Sequence, residues 1–167
     1  MEEPLFINKV EATGIITFDL YDFKPQEAAA LVDIKDFLYL GLIVKEKEFK
    51  AALSAYGWEH LRGKAVAIVC TEDTIIPTWV YMMLAQKLAG LDTIVDYCTV
   101  EELDNKRWQQ NLREADLAKY QGEKVVVRAR PDVAPALYMQ ATLRLLPVVS
   151  TLMYGEAGMP KVIAKNV

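Results

Sequence analysis

Six polar residues that could do chemistry follow three short apolar runs of the chain. They lie in segments 70–73, 96–99 and 128–132, each placed where a predicted strand ends. Parallel strands bring their carboxyl ends to one edge of a sheet, and open α/β sheets bind ligands at that edge. If the three strands are near neighbours, this edge gathers Cys70, Asp73, Cys98, Arg128, Arg130 and Asp132.

The two arginines predict a pocket for a small anionic ligand. Arg128 or Arg130 can hold a carboxylate or phosphate through two hydrogen bonds. The helices that begin near Pro77 and Pro135 would point their N-termini at such a ligand. The predicted ligand-binding residues are Asp73, Arg128, Arg130 and Asp132. The alternative is that the two aspartates only cap these helices and neutralise the arginines.

The two cysteines allow two further kinds of chemistry. Cys70, beside a helix N-terminus and near Asp73, could be a nucleophile. Its usual base would be the single histidine, His60, but about 17 Å of strand, at roughly 3.3 Å per residue, separates the two. Cys70, Cys98 and Asp73 could hold zinc or iron, although no Cys-x-x-Cys spacing supports this and we expect no metal. The simpler interpretation is two structural thiols.

The composition excludes several classes of protein. A net charge of −4 argues against binding to nucleic acid or to anionic membranes. No apolar run approaches the roughly 18–20 residues that a membrane span needs. Two cysteines and one histidine make a disulfide framework or a His-rich metal site improbable. We therefore expect a cytoplasmic protein without nucleic-acid or membrane partners.

Strands and helices alternate along most of the chain. The run Ala65–Cys70 is typical of a central strand buried on both faces, and further strands are predicted at 93–97 and 124–128. Helices are predicted from Pro77 and from Pro135. This alternation predicts a three-layer α/β fold whose mostly parallel sheet has four to six strands built from βαβ units.

We expect one domain over residues 1–167, in three sections. Residues 1–60 would form an N-terminal β/α extension with an antiparallel edge, and within it 26–42 is predicted to be helical, although 32–35 also alternates as a strand does. Residues 61–156 would form the βαβ core, and 157–167 a tail that is either irregular or an edge strand.

Two segments of the core resemble each other. Gly63 precedes one predicted strand and Gly122 another, and each strand is followed by Asp, Pro and Tyr in that order. Either a helix–strand–helix unit is duplicated, or both segments follow the general habit of βα units.

The two predicted helices that begin at Pro77 and Pro135 are apolar on several faces. Such a helix is covered on several faces, by the rest of its own chain or by a second subunit. A symmetric homodimer is therefore one expectation, with Trp79, Met82 and Tyr138 at the interface, and burial within the chain is the other.

Blocks spread over nearly the whole chain resemble one known family. They are Ile15–Leu20 with Phe23, Asp33–Asp36, Gly41–Ile43, Cys70–Met82, and Pro147–Val149 followed by Met153–Glu156. Together they resemble the domain-of-unknown-function family numbered 2480, which consists of small bacterial proteins. The resemblance implies one compact domain in a bacterial cytoplasm and implies no reaction.

The function predicted from the sequence is binding. We expect a bacterial α/β protein that binds a small ligand or has a regulatory role, with a homodimer as one expected state. The alternative is an enzyme that uses the Cys70–Asp73 loop, or a metal-binding variant of that loop.

Overall fold

The computed structural model describes residues 13–166, which form two compact units. The central unit is Gln26–Lys106. The terminal unit combines the described residues before Gln26 with those from Arg107 onward. These borders differ from the predicted sections, which placed a border after residue 60. The predicted run Leu5–Ile7 lies outside the described residues.

Seven strands and four α-helices are present in residues 13–166. The strands are β1 Ile15–Phe18, β2 Ala30–Asp33, β3 Ala65–Val69, β4 Ile94–Tyr97, β5 Lys124–Arg128, β6 Thr151–Gly155 and β7 Lys161–Lys165. The helices are α1 Glu46–Ala55, α2 Thr78–Leu88, α3 Val100–Glu114 and α4 Pro135–Leu145.

The predicted α/β fold with mostly parallel strands is confirmed, and the strands form two sheets. In the central unit the strand order is β2-β3-β4, and in the terminal unit it is β1-β5-β6-β7. All neighbours are parallel except β6 and β7. The antiparallel edge strand is therefore β7, in the predicted tail, and no strand within residues 13–60 pairs antiparallel with another strand. The predicted helix at 26–42 is wrong, because this segment contains β2 and the 3-10 helix Ile34–Phe37.

The central sheet separates large and small side chains between its two faces. Val66 and Ile68 of β3 pack in the cluster formed by α1 and α2. Ala65 and Ala67 alternate with them and pack against Leu103 of α3 on the other face. The period of two along β3 thus gives three layers, with helices on both faces.

The terminal sheet packs one face against α4 and the second half of α3. Val125 and Val127 of β5 share a buried cluster with Trp108, Leu112 and three α4 residues. The α4 residues are Leu137, Ala141 and Leu145. The indole nitrogen of Trp108 donates to the carbonyl of Leu20 at 2.8 Å, which ties α3 to the segment after β1.

The two units repeat one arrangement of elements. Each has a first strand, a 3-10 helix, an α-helix, a second 3-10 helix, a middle strand, an α-helix and a third strand, and the central unit adds a 3-10 helix, Ala89–Leu91, before its third strand. Gly63 and Gly122 precede the two middle strands, both with positive φ, and their N–H groups donate to equivalent carbonyls, those of Leu91 and Val148. The resemblance between the two sequence segments thus extends to strand order and hydrogen bonding.

The first strands also match. Thr17–Phe23 and Leu31–Phe37 share the pattern Asp-x-x-Asp-Phe at the end of a strand. Asp19 and Asp33 each accept the backbone N–H two residues later and so begin a 3-10 helix. Tyrosine pairs between a helix and the third strand complete the correspondence, with Tyr81 of α2 against Tyr97 of β4 and Tyr138 of α4 against Tyr154 of β6.

Candidate functional site

The predicted single edge is divided between the two sheets. Cys70, Asp73 and Cys98 belong to the central unit, whereas Arg128, Arg130 and Asp132 belong to the terminal unit. The reason is strand pairing, since β5 lies between β1 and β6 and does not pair with β3 or β4. The predicted site residues at strand ends therefore form two groups, one in each unit.

In the terminal unit, Arg130 is bound by a residue that the sequence analysis missed. Its Nε donates to Oδ1 of Asp19 at 3.2 Å, and its Nη2 donates to Oδ2 at 2.5 Å. The guanidinium lies 4.1 Å from the centre of the Tyr21 ring. The hydrogen bond from Arg130 holds the pKa of Asp19 below its usual value. The charge of Arg130 is thus already matched within the protein.

Asp132 has a different partner from the predicted ones. Its carboxylate accepts a hydrogen bond from the Tyr21 hydroxyl, which raises the pKa of Tyr21. Helix α4 begins after Ala134, and α2 begins after Pro77, both without a side-chain cap. The alternative in which Asp73 and Asp132 cap these helices is therefore wrong.

Arg128 forms two long ion pairs with carboxylates at the ends of two neighbouring strands. Its guanidinium lies 3.6 Å from Asp19, after β1, and 3.8 Å from Glu156, after β6, and the side chain is 44% exposed. With Asp132, three carboxylates surround the two arginines. A group with this balance of charges has no net positive field to attract an anion.

In the central unit, an open cleft of ≈ 270 Å³ lies at the carboxyl ends of β3 and β4. The start of α3 completes it. The cleft is lined by Ile68, Val69, Cys70, Tyr97, Cys98, Thr99 and Glu102. Asp73 is exposed and is not among the lining residues.

The polar side of the cleft is a capping box formed by Thr99 and Glu102. The N–H of Glu102 donates to the Thr99 hydroxyl oxygen at 3.2 Å, and the Glu102 carboxylate accepts the N–H of Thr99 at 2.8 Å. The hydrogen bond from the Thr99 N–H lowers the pKa of Glu102. The carboxylate in the cleft is therefore ionised at neutral pH.

The loop beside the cleft is fixed from the end of β2. Asp33 accepts hydrogen bonds from the N–H and the hydroxyl of Thr71, at 3.1 and 2.5 Å. The next residue, Glu72, forms an ion pair of 2.9 Å with Lys35. Its carbonyl accepts the Cys70 thiol proton at 3.4 Å. The loop thus has a defined conformation beside the cleft.

The two cysteines are free and pack on opposite faces of the central sheet. Cys70 contacts the cluster under α1 and α2, and Cys98 contacts the cluster around Leu103. Burial raises the pKa of the Cys98 thiol, and the nearby Asp96 raises it further. Among residues 13–166, no group of three His, Cys, Asp or Glu is arranged to hold a metal, and so Cys70, Cys98 and Asp73 do not form one.

His60 lies at the other end of β3 from Cys70, as expected. It is in the 3-10 helix Trp58–Leu61, and its Nδ1 donates to the carbonyl of Gly57. The two residues therefore do not form a Cys–His pair.

Two of the three predicted interface residues line a groove. This α1–α2 groove has a volume of ≈ 540 Å³ and is lined by Glu46, Lys50, Trp79, Met82, Met83 and Gln86. Met82 is 73% exposed. Tyr138 lies elsewhere, in the terminal unit, where its hydroxyl accepts the N–H of Arg130 at 2.7 Å. Whether these residues form an interface stays a prediction.

Asp19, Tyr21 and Asp33 were not predicted as site residues from the sequence. A usable signal existed, because the two Asp-x-x-Asp-Phe segments repeat each other within the first 40 residues. A residue kept at the same position in both copies indicates a common role, which here is to hold the loop after the middle strand.

The class of protein is an α/β fold made of two similar, mostly parallel units. A family model described as "Protein of unknown function (DUF2480)" matches residues 4–164. The chain belongs to this family, as its resemblance indicated. No curated protein and no solved structure matches the chain.

The four α-helices were compared with the length and apolar character of a membrane-spanning helix. None of those within residues 13–166 has both the length and the apolar character that crossing a bilayer requires.

Proposed function

We propose that this protein binds a small ligand in the cleft at the carboxyl ends of β3 and β4, and that its role is regulatory. The observation that carries the proposal is the difference between the two units at equivalent strand ends. One strand end leaves a cleft of ≈ 270 Å³, and the other is occupied by ion pairs.

The difference arises at two positions. By strand register, Val69 opposite Asp33 corresponds to Arg128, and Thr71 corresponds to Arg130. In the terminal unit both positions carry arginines that bind Asp19. In the central unit both are uncharged, and Val69 lines the cleft. Because neither Val69 nor Thr71 is an arginine, no arginine side chain fills the cleft at this end of the central sheet.

The lining defines the chemistry of the ligand. Among the described residues that line the cleft, only Glu102 has a charged side chain, and the other walls are the Tyr97 ring, two thiols, the Thr99 hydroxyl and aliphatic groups. A carboxylate in a partly apolar cleft favours a cation or a hydrogen-bond donor over an anion. We therefore propose a small cationic or neutral ligand with a flat apolar body, in place of the anion expected from the arginines.

Binding without catalysis is favoured by the state of the polar groups. Thr99 and Glu102 are engaged in the capping box, and the raised pKa of Cys98 keeps its thiol protonated. The bacterial cytoplasm remains the proposed setting, supported by the two free cysteines.

A titration with three matched probes tests the proposal. Tryptamine, indole and indole-3-acetate share a flat body and differ in charge. We expect tryptamine and indole to shift the backbone amide resonances of 68–70 and 97–102, with indole-3-acetate at least ten-fold weaker. Strongest binding of indole-3-acetate, or shifts confined to other residues, would contradict the proposal.

Two variants at one position provide the control. Cys70→Trp fills the cleft and should abolish these shifts, whereas Cys70→Ser removes the thiol without filling it and should retain them. Equal binding by both variants would place the probe somewhere else.

A further inference from the structure

The α1–α2 groove is lined differently from the equivalent seam between α3 and α4 in the described part of the terminal unit, although the two units share their element order. The buried residues Phe49 and Leu53 of α1 correspond to Trp108 and Leu112 of α3. On that alignment Lys50 corresponds to Gln109. The buried positions of α2 and α4 correspond in the same way, so that each residue lining the groove has an identifiable equivalent.

The equivalent seam between α3 and α4 is closed by polar groups. Met83 corresponds to Gln140, whose side-chain amide donates to the carbonyl of Gln109 at 2.8 Å. Trp79 corresponds to Ala136. The central unit therefore has an indole and a thioether where the terminal unit has a methyl group and a hydrogen-bonded amide. The two units therefore differ at these two positions, although the α4 face also exposes Met139 and Leu143.

The apolar side chains of the groove are one indole, of Trp79, and two flexible thioethers, of Met82 and Met83. Trp79 is held by its edge-to-face contact with Phe49, with ring centres 5.7 Å apart. Met82 is 73% exposed beside it. Methionine side chains fill irregular gaps and are over-represented at protein-binding surfaces. An indole anchor with flexible methionines is suited to packing against another apolar surface.

The charges at the groove indicate which surface it fits. Glu46 and Lys50, one turn apart on α1, form an exposed ion pair. The lining thus carries one acid and one base and has no net charge to select an acidic or a basic partner. A two-fold interface requires a patch that complements itself, and this pair does so when Glu46 of one copy faces Lys50 of the other.

We propose that the α1–α2 groove is the interface of a symmetric homodimer, with the same groove of a second copy as its occupant. The proposal is independent of the ligand cleft, because the two sites share no lining residue. In the dimer, the Glu46–Lys50 ion pair within each chain would be replaced by pairs between the two chains. This replacement costs little free energy, since exposed ion pairs contribute weakly to stability.

Sedimentation equilibrium with matched variants tests this interface. Met82 and Met139 occupy equivalent positions and are 73% and 68% exposed, so a glutamate at either is tolerated by the fold. We expect dimers for the wild type and Met139→Glu, and a dissociation constant raised at least ten-fold for Met82→Glu. A monomeric wild type, or equal behaviour of the two variants, would overturn the proposal.

A charge exchange separates self-association from a general apolar effect. Lys50→Glu places four carboxylates at the interface and should weaken the dimer. The double variant Glu46→Lys, Lys50→Glu restores one acid and one base per copy and should restore dimerisation. If the double variant is as weak as Lys50→Glu, the proposed pairing is incorrect.

Discussion

Asp19 and Arg130, 111 residues apart in the sequence, form a two-hydrogen-bond ion pair at the ends of β1 and β5. The equivalent aspartate of the central unit, Asp33, binds the neutral Thr71. The aspartate–arginine ion pair thus fills the strand ends of the terminal unit. The aspartate–threonine hydrogen bonds of the central unit leave the cleft beside them open.

Asp19→Asn should lower the melting temperature by about 3–6 °C. Asparagine retains an oxygen that can accept the N–H of Tyr21 but loses the charge that Arg130 binds. Differential scanning calorimetry at pH 7 measures the shift. A variant as stable as the wild type would show that the ion pair contributes nothing.

The same variant has a defined pH dependence. Because Arg130 lowers the pKa of Asp19 from its ordinary 3.8, the stabilisation is present above that value and is lost as the pH falls through the folded-state pKa. The difference in melting temperature between wild type and Asp19→Asn should therefore be constant from about pH 5 upward and shrink in acid. A difference that persists unchanged in acid would contradict this explanation.

Gly63→Ala should cost about 1–2 kcal/mol of unfolding free energy. Gly63 has φ +70°, and no atom would contact an added Cβ, so the cost is that of the left-handed backbone alone. Gly90→Ala is the control, because Gly90 also has open space and lacks a positive φ. Urea unfolding of both variants should show a loss only for Gly63→Ala, and equal losses would refute the backbone explanation.

Alkylation of Cys98 should require a higher pH in the folded protein than in urea. Burial raises the pKa of this thiol, so less reactive thiolate is present at a given pH. The rate of reaction with iodoacetamide, measured against pH in a Cys70→Ser variant, checks this. A folded-state profile at or below the urea profile would contradict it.

Much of the fold was predictable because its patterns are local. The apolar run at 65–70 and the prolines at 77 and 135 predicted β3, α2 and α4. The prediction of a helix at 26–42 was wrong because the apolar residues of this segment fit both a helical and an alternating period. A strand of four residues also has too few positions for a clear alternating pattern. The two sheets were not predictable, since the pairing of β1 with β5 joins segments about 100 residues apart.

The site was predicted only in part for the same reason. Residues at strand ends were found because they directly follow apolar runs. Their partners were missed, because Asp19 reaches Arg130 only through the pairing of distant strands. Comparing the two Asp-x-x-Asp-Phe segments would have identified Asp19 and Asp33 without a structure.

The central claim is that the cleft between β3 and β4 binds a small ligand, and Cys98 inside it reports occupancy directly. In the Cys70→Ser variant, Cys98 is the only thiol of the chain. The measurement is the rate of Cys98 alkylation by N-ethylmaleimide with and without saturating tryptamine. We predict at least ten-fold slower alkylation with tryptamine in the folded protein and no effect of tryptamine in urea. An unchanged rate in the folded protein would contradict it.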